Sequence, residues 1–385
     1  MHDLLPYINA QLDITLNSLR YFMPEIYLGL LFVIVLAAGL VYTRHGAGIC
    51  RLIAITGMVF VIAQDVIQGL IPASQWHLLF SGMLLLGHVA VRFKLIVDII
   101  TVLLLFYFAW DRQLRAHRKG LSDIYAIIIA VVFGLHLMIM ASHLLSLYLA
   151  VEFVSLGSYL LVAYRSENGL SAGAGLKYVL FGAASSAVLL YGISLLYGFA
   201  GSAELFSRPF IEGLSHTDMA GVSLALILVL VGVGFKLSFV PMHFWVPDVY
   251  QGAATPVTAF LSTLPKIAGF ALLFNFILSF ANFGWKEFDF QLFFAIVGIV
   301  TMVAGNFAAV MQNNVKRLLA YSSIGHTGFA LIAIAAFSPE SITSLLFYLA
   351  VYAIANIGAL MLASYFANTV GAENVEDYRG LGFRL

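Results

Sequence analysis

Charge is what this 385-residue sequence has least of: only 10% of its residues are Asp, Glu, Lys or Arg, with nineteen basic and nineteen acidic. Given 62% hydrophobic residues and a mean hydropathy of +0.99, polar surface is too scarce for a water-soluble multidomain enzyme. The zero net charge offers nothing to nucleic acid. Cysteine is nearly absent as well. Cys50 stands alone, so no internal disulfide forms and no CxxC pair exists to hold zinc or an iron–sulfur cluster; any electron transfer belongs to another chain. The opening MHDLLPYINAQLDITLNSLRYFMPE lacks the positive start and cleavage site of a signal peptide, which predicts that the first helix stays as an anchor.

What is abundant is apolar runs of about 20 residues, the length that crosses a hydrocarbon core as a helix. Hydropathy and the bounding turn residues predict eleven helices, at 26–43, 49–71, 88–110, 123–141, 143–164, 171–199, 219–244, 255–280, 290–311, 315–337 and 341–368. Residues 76–89, WHLLFSGMLLLGHV, are too few and too glycine-punctuated for a span and read as a hairpin at the membrane edge. The expected fold is all-α, a polytopic transmembrane helical bundle.

Basic residues orient it. One set of loops and ends carries Arg44, Arg51, Arg112, Arg115, Arg118, Lys119, Arg165, Lys316, Arg317, Arg379 and Arg384, whereas the opposite set carries Arg20, Arg208 and Lys286. The positive-inside rule then puts the N-terminus outside and the C-terminus in the cytoplasm of a multi-pass protein of the cell inner membrane. Trp76, Trp110 and Trp285 fall near span ends, as interfacial anchors do.

Charges inside the spans need a reason, because an ammonium at the bilayer centre costs about 2.5–3.5 kcal/mol. Lys236 and Lys266 lie well inside apolar helices, and Glu152 sits within LSLYLAVEFVSLGSYLLVAY, where no solvent is available and a cationic or hydrogen-bonding partner is required. Lys236 is the expected partner, either as half of a proton-transfer pair or as a static ion pair locking two helices. Asp65 and Asp98 lie in the second and third spans, with structural and functional roles equally open. Arg92, Lys94 and Lys177 sit near helix starts, where lysine also snorkels. His136, His143 and His326 read as packing residues on apolar helices, and Lys177 and His326 are carried as further proton-transfer candidates.

The run VGVGFKLSFVPMHFWVPDVYQGAATPVTAFLSTLPKIAGF, 231–270, holds both buried lysines among helix breakers. Gly232, Gly234 and Pro241 weaken the seventh helix around Lys236, and Pro256 and Pro265 do the same ahead of Lys266. A discontinuous seventh helix is expected, of the kind that lines a hydrated cavity; a tolerated proline kink is the alternative.

These residues carry a family resemblance. GFKLSFVPMHFWVPDVYQGAATPVTAFLSTLPKIAGF resembles the seventh and eighth helices of the antiporter-like membrane subunits of respiratory complex I, the proton-pumping NADH:quinone oxidoreductase (NDH-1). LKYVLFGAASSAVLLYGISLLYG, 176–198, and NVKRLLAYSSIGHTGFALI, 314–332, match the sixth and tenth. Subunits L and M and the sodium/proton antiporter subunits show an Ala-His pair where this chain has Val249, Tyr250, Gln251 and Gly252, so the resemblance is to the subunit N family.

The resemblance covers about 100–385 and implies two inverted repeats, dividing the chain into N-terminal helices at 1–122, a first repeat at 123–280 and the start of a second at 281–385. It implies proton transfer through Glu152 on the fifth helix, Lys236 on the seventh and Lys266 on the eighth, with His326 at a tenth-helix histidine position. The family carries a second broken helix with a lysine beyond the motif DYRGL, here 377–381, so the chain is expected to be C-terminally incomplete relative to it. No cofactor is expected on this chain; NADH, FMN, iron–sulfur clusters and quinone would belong to partner subunits. The expected partners are other complex I membrane subunits and the lipid bilayer, with no nucleic acid. A membrane subunit of a hydrogenase-type complex and a free-standing cation/proton antiporter are the alternative functions, and a non-transporting scaffold is the bland one.

Overall fold

The computed structural model describes residues 5–42, 46–70, 76–117 and 120–383. Arg44, Arg118, Lys119 and Arg384 of the orienting set lie outside the described residues, as does Leu385. In chain order the helices are α1 Leu5–Tyr21, α2 Met23–Val41, α3 Gly46–Gln68, α4 His88–Trp110, α5 Arg112–Arg115, α6 Ser122–Met140, α7 Leu144–Val162, α8 Gly169–Ala200, α9 Arg208–Ser215, α10 Met219–Leu237, α11 Val246–Gly252, α12 Thr255–Asn282, α13 Phe290–Val310, α14 Val315–Ala336 and α15 Pro339–Val370. Two short strands, β1 His77–Leu79 and β2 Leu84–Leu86, pair antiparallel with His77 opposite Leu86.

Among the described residues ten helices are long and apolar enough to cross a membrane. α4 matches them in length but carries Arg92, Lys94 and Asp98, and its lysine and aspartate are turned inward. The chain is therefore a polytopic helical membrane protein. Leu40, Phe60, Phe307, Val310 and Phe347 are exposed, as lipid-facing side chains are; the helices have no need to bury every apolar face.

Local signals set the helix limits. Asn168 caps α8 by accepting from Leu170 N–H at 2.9 Å, Asp289 caps α13 through Leu292 N–H at 2.8 Å, and Ser338 with Ser341 forms a reciprocal capping box on α15. Gly201 and Gly371 close α8 and α15 in the left-handed region.

α12 is the axis of the bundle. Nearly every residue from Pro256 to Phe280 is buried, and it packs against α4, α6, α7, α10, α11, α14 and α15. Pro256 begins this helix and Pro265 lies inside it, so the eighth span continues past both prolines, contrary to the expected weakening there. α13 and α14 approach closely through small residues: a Cβ on Gly305 would lie 2.5 Å from Gly325 N, and one on Gly328 would lie 2.6 Å from Met302 N.

Residues 5–21 and 208–215 fall outside the eleven expected helices. Both are helical. The hairpin is fastened to its surroundings, with Ser142 Oγ donating to Gly82 O at 2.9 Å, Ser146 Oγ to Met83 O at 2.6 Å, and Phe80 N–H to Ser18 Oγ at 2.9 Å.

Candidate functional site

The first candidate residue stands where α10 ends. The helix stops at Leu237, Ser238 takes a left-handed conformation at φ 64°, and α11 resumes at Val246. Phe239 N–H returns to Gly234 O at 3.2 Å. Gly234 permits this turn, because a Cβ there would lie 2.5 Å from the Phe239 ring. Lys236 occupies the last turn, 4% exposed, where the negative end of the helix dipole favours an ammonium. Its Nζ has no hydrogen-bond partner.

Glu152 of α7 has Oε1 buried and unpartnered. It makes no ion pair with Lys236, the partner expected for it: Glu152 Oε1 and Lys236 Nζ both stand without a hydrogen-bond partner, and α8 packs against both of their helices, α7 and α10. Ser185 Oγ of α8 and Ser238 Oγ are also buried without partners. Orphaned buried polar atoms of this kind are what water in a transport path would satisfy.

Lys266 is placed differently. It is 2% exposed, and Nζ donates to Ser323 O at 2.9 Å, Ser323 Oγ at 2.7 Å and Thr327 Oγ1 at 2.9 Å. All three acceptors are neutral. Tyr352 O–H donates to the same Ser323 Oγ at 2.7 Å, and Thr327 Oγ1 donates to Leu237 O at 3.0 Å, next to Lys236 in the chain. A hydroxyl-bearing segment of α14 therefore links the amine of α12 to the end of α10. Groups that both give and accept hydrogen bonds suit a proton path.

His326 lies one turn away on α14, its Nδ1 2.7 Å from Tyr348 Oη and its ring 4.8 Å from that of Tyr352. It does not touch Lys266; Ser323 and Tyr352 stand between them. Lys177 is outside this group. It is half exposed and pairs with Asp248 of α11 at 2.5 Å, and Arg317 of α14 takes the other oxygen of Asp248 at 2.6 Å. Lys316 donates to Gln251 O at 2.9 Å and Ala253 O at 2.5 Å, holding the end of α11.

Sequence reasoning missed a second polar centre. Glu25 of α2, Asp65 of α3, Lys94 and Asp98 of α4 and His136 of α6 are all fully buried. Lys94 Nζ lies 2.8 Å from Glu25 Oε1 and 2.7 Å from Asp65 Oδ1, and donates to Gln68 Oε1 at 2.8 Å. His136, read as a packing residue, instead bonds Glu25 Oε1 through Nδ1 at 3.0 Å and Asp98 Oδ1 through Nε2 at 2.9 Å. One ligand-type atom each from Glu25, Asp65 and His136 lies within 4.8 Å of the others. The Lys94 ammonium already takes the cation's place among them.

A family model described as NADH:quinone oxidoreductase/Mrp antiporter, transmembrane, matches residues 141–384. NADH-quinone oxidoreductase subunit N 2 of Chloroherpeton thalassium is 37% identical over 94% of this chain and 72% of that protein. Subunit N of Rhodospirillum rubrum is 34% identical over 93% of this chain and 73% of that protein. A chain of respiratory complex I from Thermus thermophilus superposes with a TM-score of 0.72 at 30% identity, covering 89% of this chain and 70% of that one. A chain of the archaeal membrane-bound sulfane sulfur reductase gives 0.79 at 20% identity over 94% and 74%, a likeness of fold alone.

Proposed function

Since this chain belongs to the NADH:quinone oxidoreductase/Mrp antiporter transmembrane family and within it to the subunit N branch, we propose that it is the proton-translocating subunit N of NADH:quinone oxidoreductase. Redox chemistry with NADH, FMN, iron–sulfur clusters and quinone falls to partner subunits. The chain works among the other membrane subunits of complex I in the inner membrane, N-terminus outside. The observation that carries the reading is a pair of buried lysines without a carboxylate in ion-pair contact, Lys236 unpartnered and Lys266 held only by neutral oxygens. A lysine kept only to lock helices would have a fixed counterion, as Lys94 has.

In this mechanism Glu152 approaches Lys236 during a rearrangement of the complex and holds its proton; withdrawal of Glu152 releases the proton toward Ser238, Thr327 and Lys266. The magnitudes fit. Two unit charges moved from about 8 to about 4 Å apart gain about 2 kcal/mol at an effective dielectric constant near 20, and carrying one charge against 100 mV takes about 2.3 kcal/mol. One approach of the carboxylate therefore drives about one proton. The interruption between Leu237 and Val246 acts as the broken seventh helix of a first repeat at 123–280, with a second, inverted repeat beginning at 281 and the helices at 1–122 standing outside both. His326 and Tyr348 extend the path beyond Lys266, and Lys177 serves the entrance through Asp248.

Affinity purification of the chain from its native membranes in mild detergent tests the assignment. Co-purifying NADH dehydrogenase activity is expected. Co-purifying hydrogenase activity, or no redox activity at all, would replace it with a hydrogenase-type membrane subunit or a free-standing antiporter.

A further inference from the structure

We propose that Glu25, Asp65, Lys94, Asp98 and His136 form a second proton-binding site, separate from the Glu152, Lys236 and Lys266 axis, which holds one exchangeable proton on the Asp65 and Asp98 pair. This does not rest on the function assigned above. Both ring nitrogens of His136 face carboxylate oxygens, Glu25 Oε1 and Asp98 Oδ1. A neutral imidazole donates from only one nitrogen, so two such contacts require either the imidazolium or a protonated carboxyl partner. The cluster therefore holds a proton besides those of Lys94.

Counting charge shows room for one more. With Lys94 and His136 positive and all three carboxylates ionised, one negative charge remains uncompensated among side chains with no solvent exposure, a costly arrangement at low dielectric. Lys94 is already engaged, donating to Glu25 Oε1 and Gln68 Oε1 at 2.8 Å each and lying 2.7 Å from Asp65 Oδ1. Asp65 Oδ2 and Asp98 Oδ2 have no hydrogen-bond partner, and both carboxyl groups border His136, Asp98 Oδ1 at 2.9 Å and Asp65 within 4.8 Å. A proton between them supplies the missing hydrogen bond and cancels the excess. A metal cation would have to sit against the ammonium and the imidazole; a proton avoids that repulsion.

Every helix facing the pair contributes to the set: Glu25 from α2, Lys94 with Asp98 from α4, and His136 from α6. α12 also packs on α4 and α6, but its Lys266 is bonded to Ser323 and Thr327 of α14. Glu25 lies in the first turn of α2, Asp65 in the last turn of α3, and His136 near the end of α6. The site thus lies at the end of the bundle that α1 and the hairpin cover, where Gln68 donates to Tyr21 O at 2.8 Å.

Infrared difference spectra of the whole complex, recorded against pH in H2O and D2O, test this. A deuterium-sensitive carbonyl band of a protonated carboxylic acid is expected, lost in both Asp65→Asn and Asp98→Asn and retained in Lys236→Ala. If the substituted complexes fail to assemble, isotopically labelled aspartate in the unaltered complex must shift the band. Absence of the band, its persistence in both variants, indifference to labelled aspartate, or a band that follows sodium at constant pH would each overturn the proposal.

Discussion

Lys266 and Ser323 are joined twice, the amine donating to the backbone carbonyl at 2.9 Å and to the hydroxyl at 2.7 Å, so α12 and α14 are fastened at mid-helix by the residue proposed to carry the proton. The Lys266→Ala variant separates this structural role from transport. Ser323 Oγ keeps Tyr352, and Thr327 Oγ1 keeps Leu237 O, so the complex still assembles. NADH-driven proton uptake by vesicles falls about tenfold or more, the effect of about 1.4 kcal/mol on a barrier. Assembly with full uptake would remove Lys266 from the path.

Tyr352→Phe deletes only a hydroxyl, the one spanning Ser262 O and Ser323 Oγ. Stability in detergent drops by about 1 kcal/mol, the worth of a typical buried hydrogen bond. Uptake slows while KM for NADH stays constant. Stopped-flow measurement with a pH dye reads the first effect, and steady-state assay the second.

Gly328→Ala tests how tightly α13 and α14 meet. Its methyl would lie against the α13 backbone, Met302 N at 2.6 Å and Gly298 O at 2.7 Å, as well as Met302 Cγ at 2.6 Å, and backbone cannot swing away as a side chain can. Helix separation costs about 1–3 kcal/mol, and thermal unfolding shifts down. Because His326 and Thr327 ride on the same turn, uptake falls with it. Gly358→Ala, where nothing lies within 4 Å, serves as the neutral control.

Much of this fold was legible because lipid imposes a length on every span, and the helix limits fall within a few residues of the hydropathy edges except in the seventh span, expected to run to 244 and ending at Leu237. The amphipathic α1 escaped notice because its polar residues mask a helical period. The two lysines were legible for a different reason: each is flanked on both sides by apolar sequence. Glu25, Asp65 and Lys94 sit within a few residues of a helix end, where sequence reads a snorkelling charge. Only the packing of four helices, joining Glu25 to a histidine 111 residues away, shows that they converge. The missing ion pair between Glu152 and Lys236 was illegible for the same reason, since which side chains meet is a tertiary fact.

Lys177→Ala has a small structural effect. Arg317 keeps its bond to Asp248, and a half-exposed ion pair contributes about 0–1 kcal/mol. Asp248→Ala removes both bonds at once and loosens α11 from α8 and α14. Limited proteolysis between α10 and α12 distinguishes them, with faster cleavage expected in Asp248→Ala alone.

The switchable proton on Lys236 is tested most directly by measuring protons taken up per NADH oxidised in vesicles carrying Lys236→Ala. Lower uptake per NADH, with NADH oxidation continuing when the gradient is dissipated, is the expected result. An unchanged ratio of protons to NADH would contradict the account.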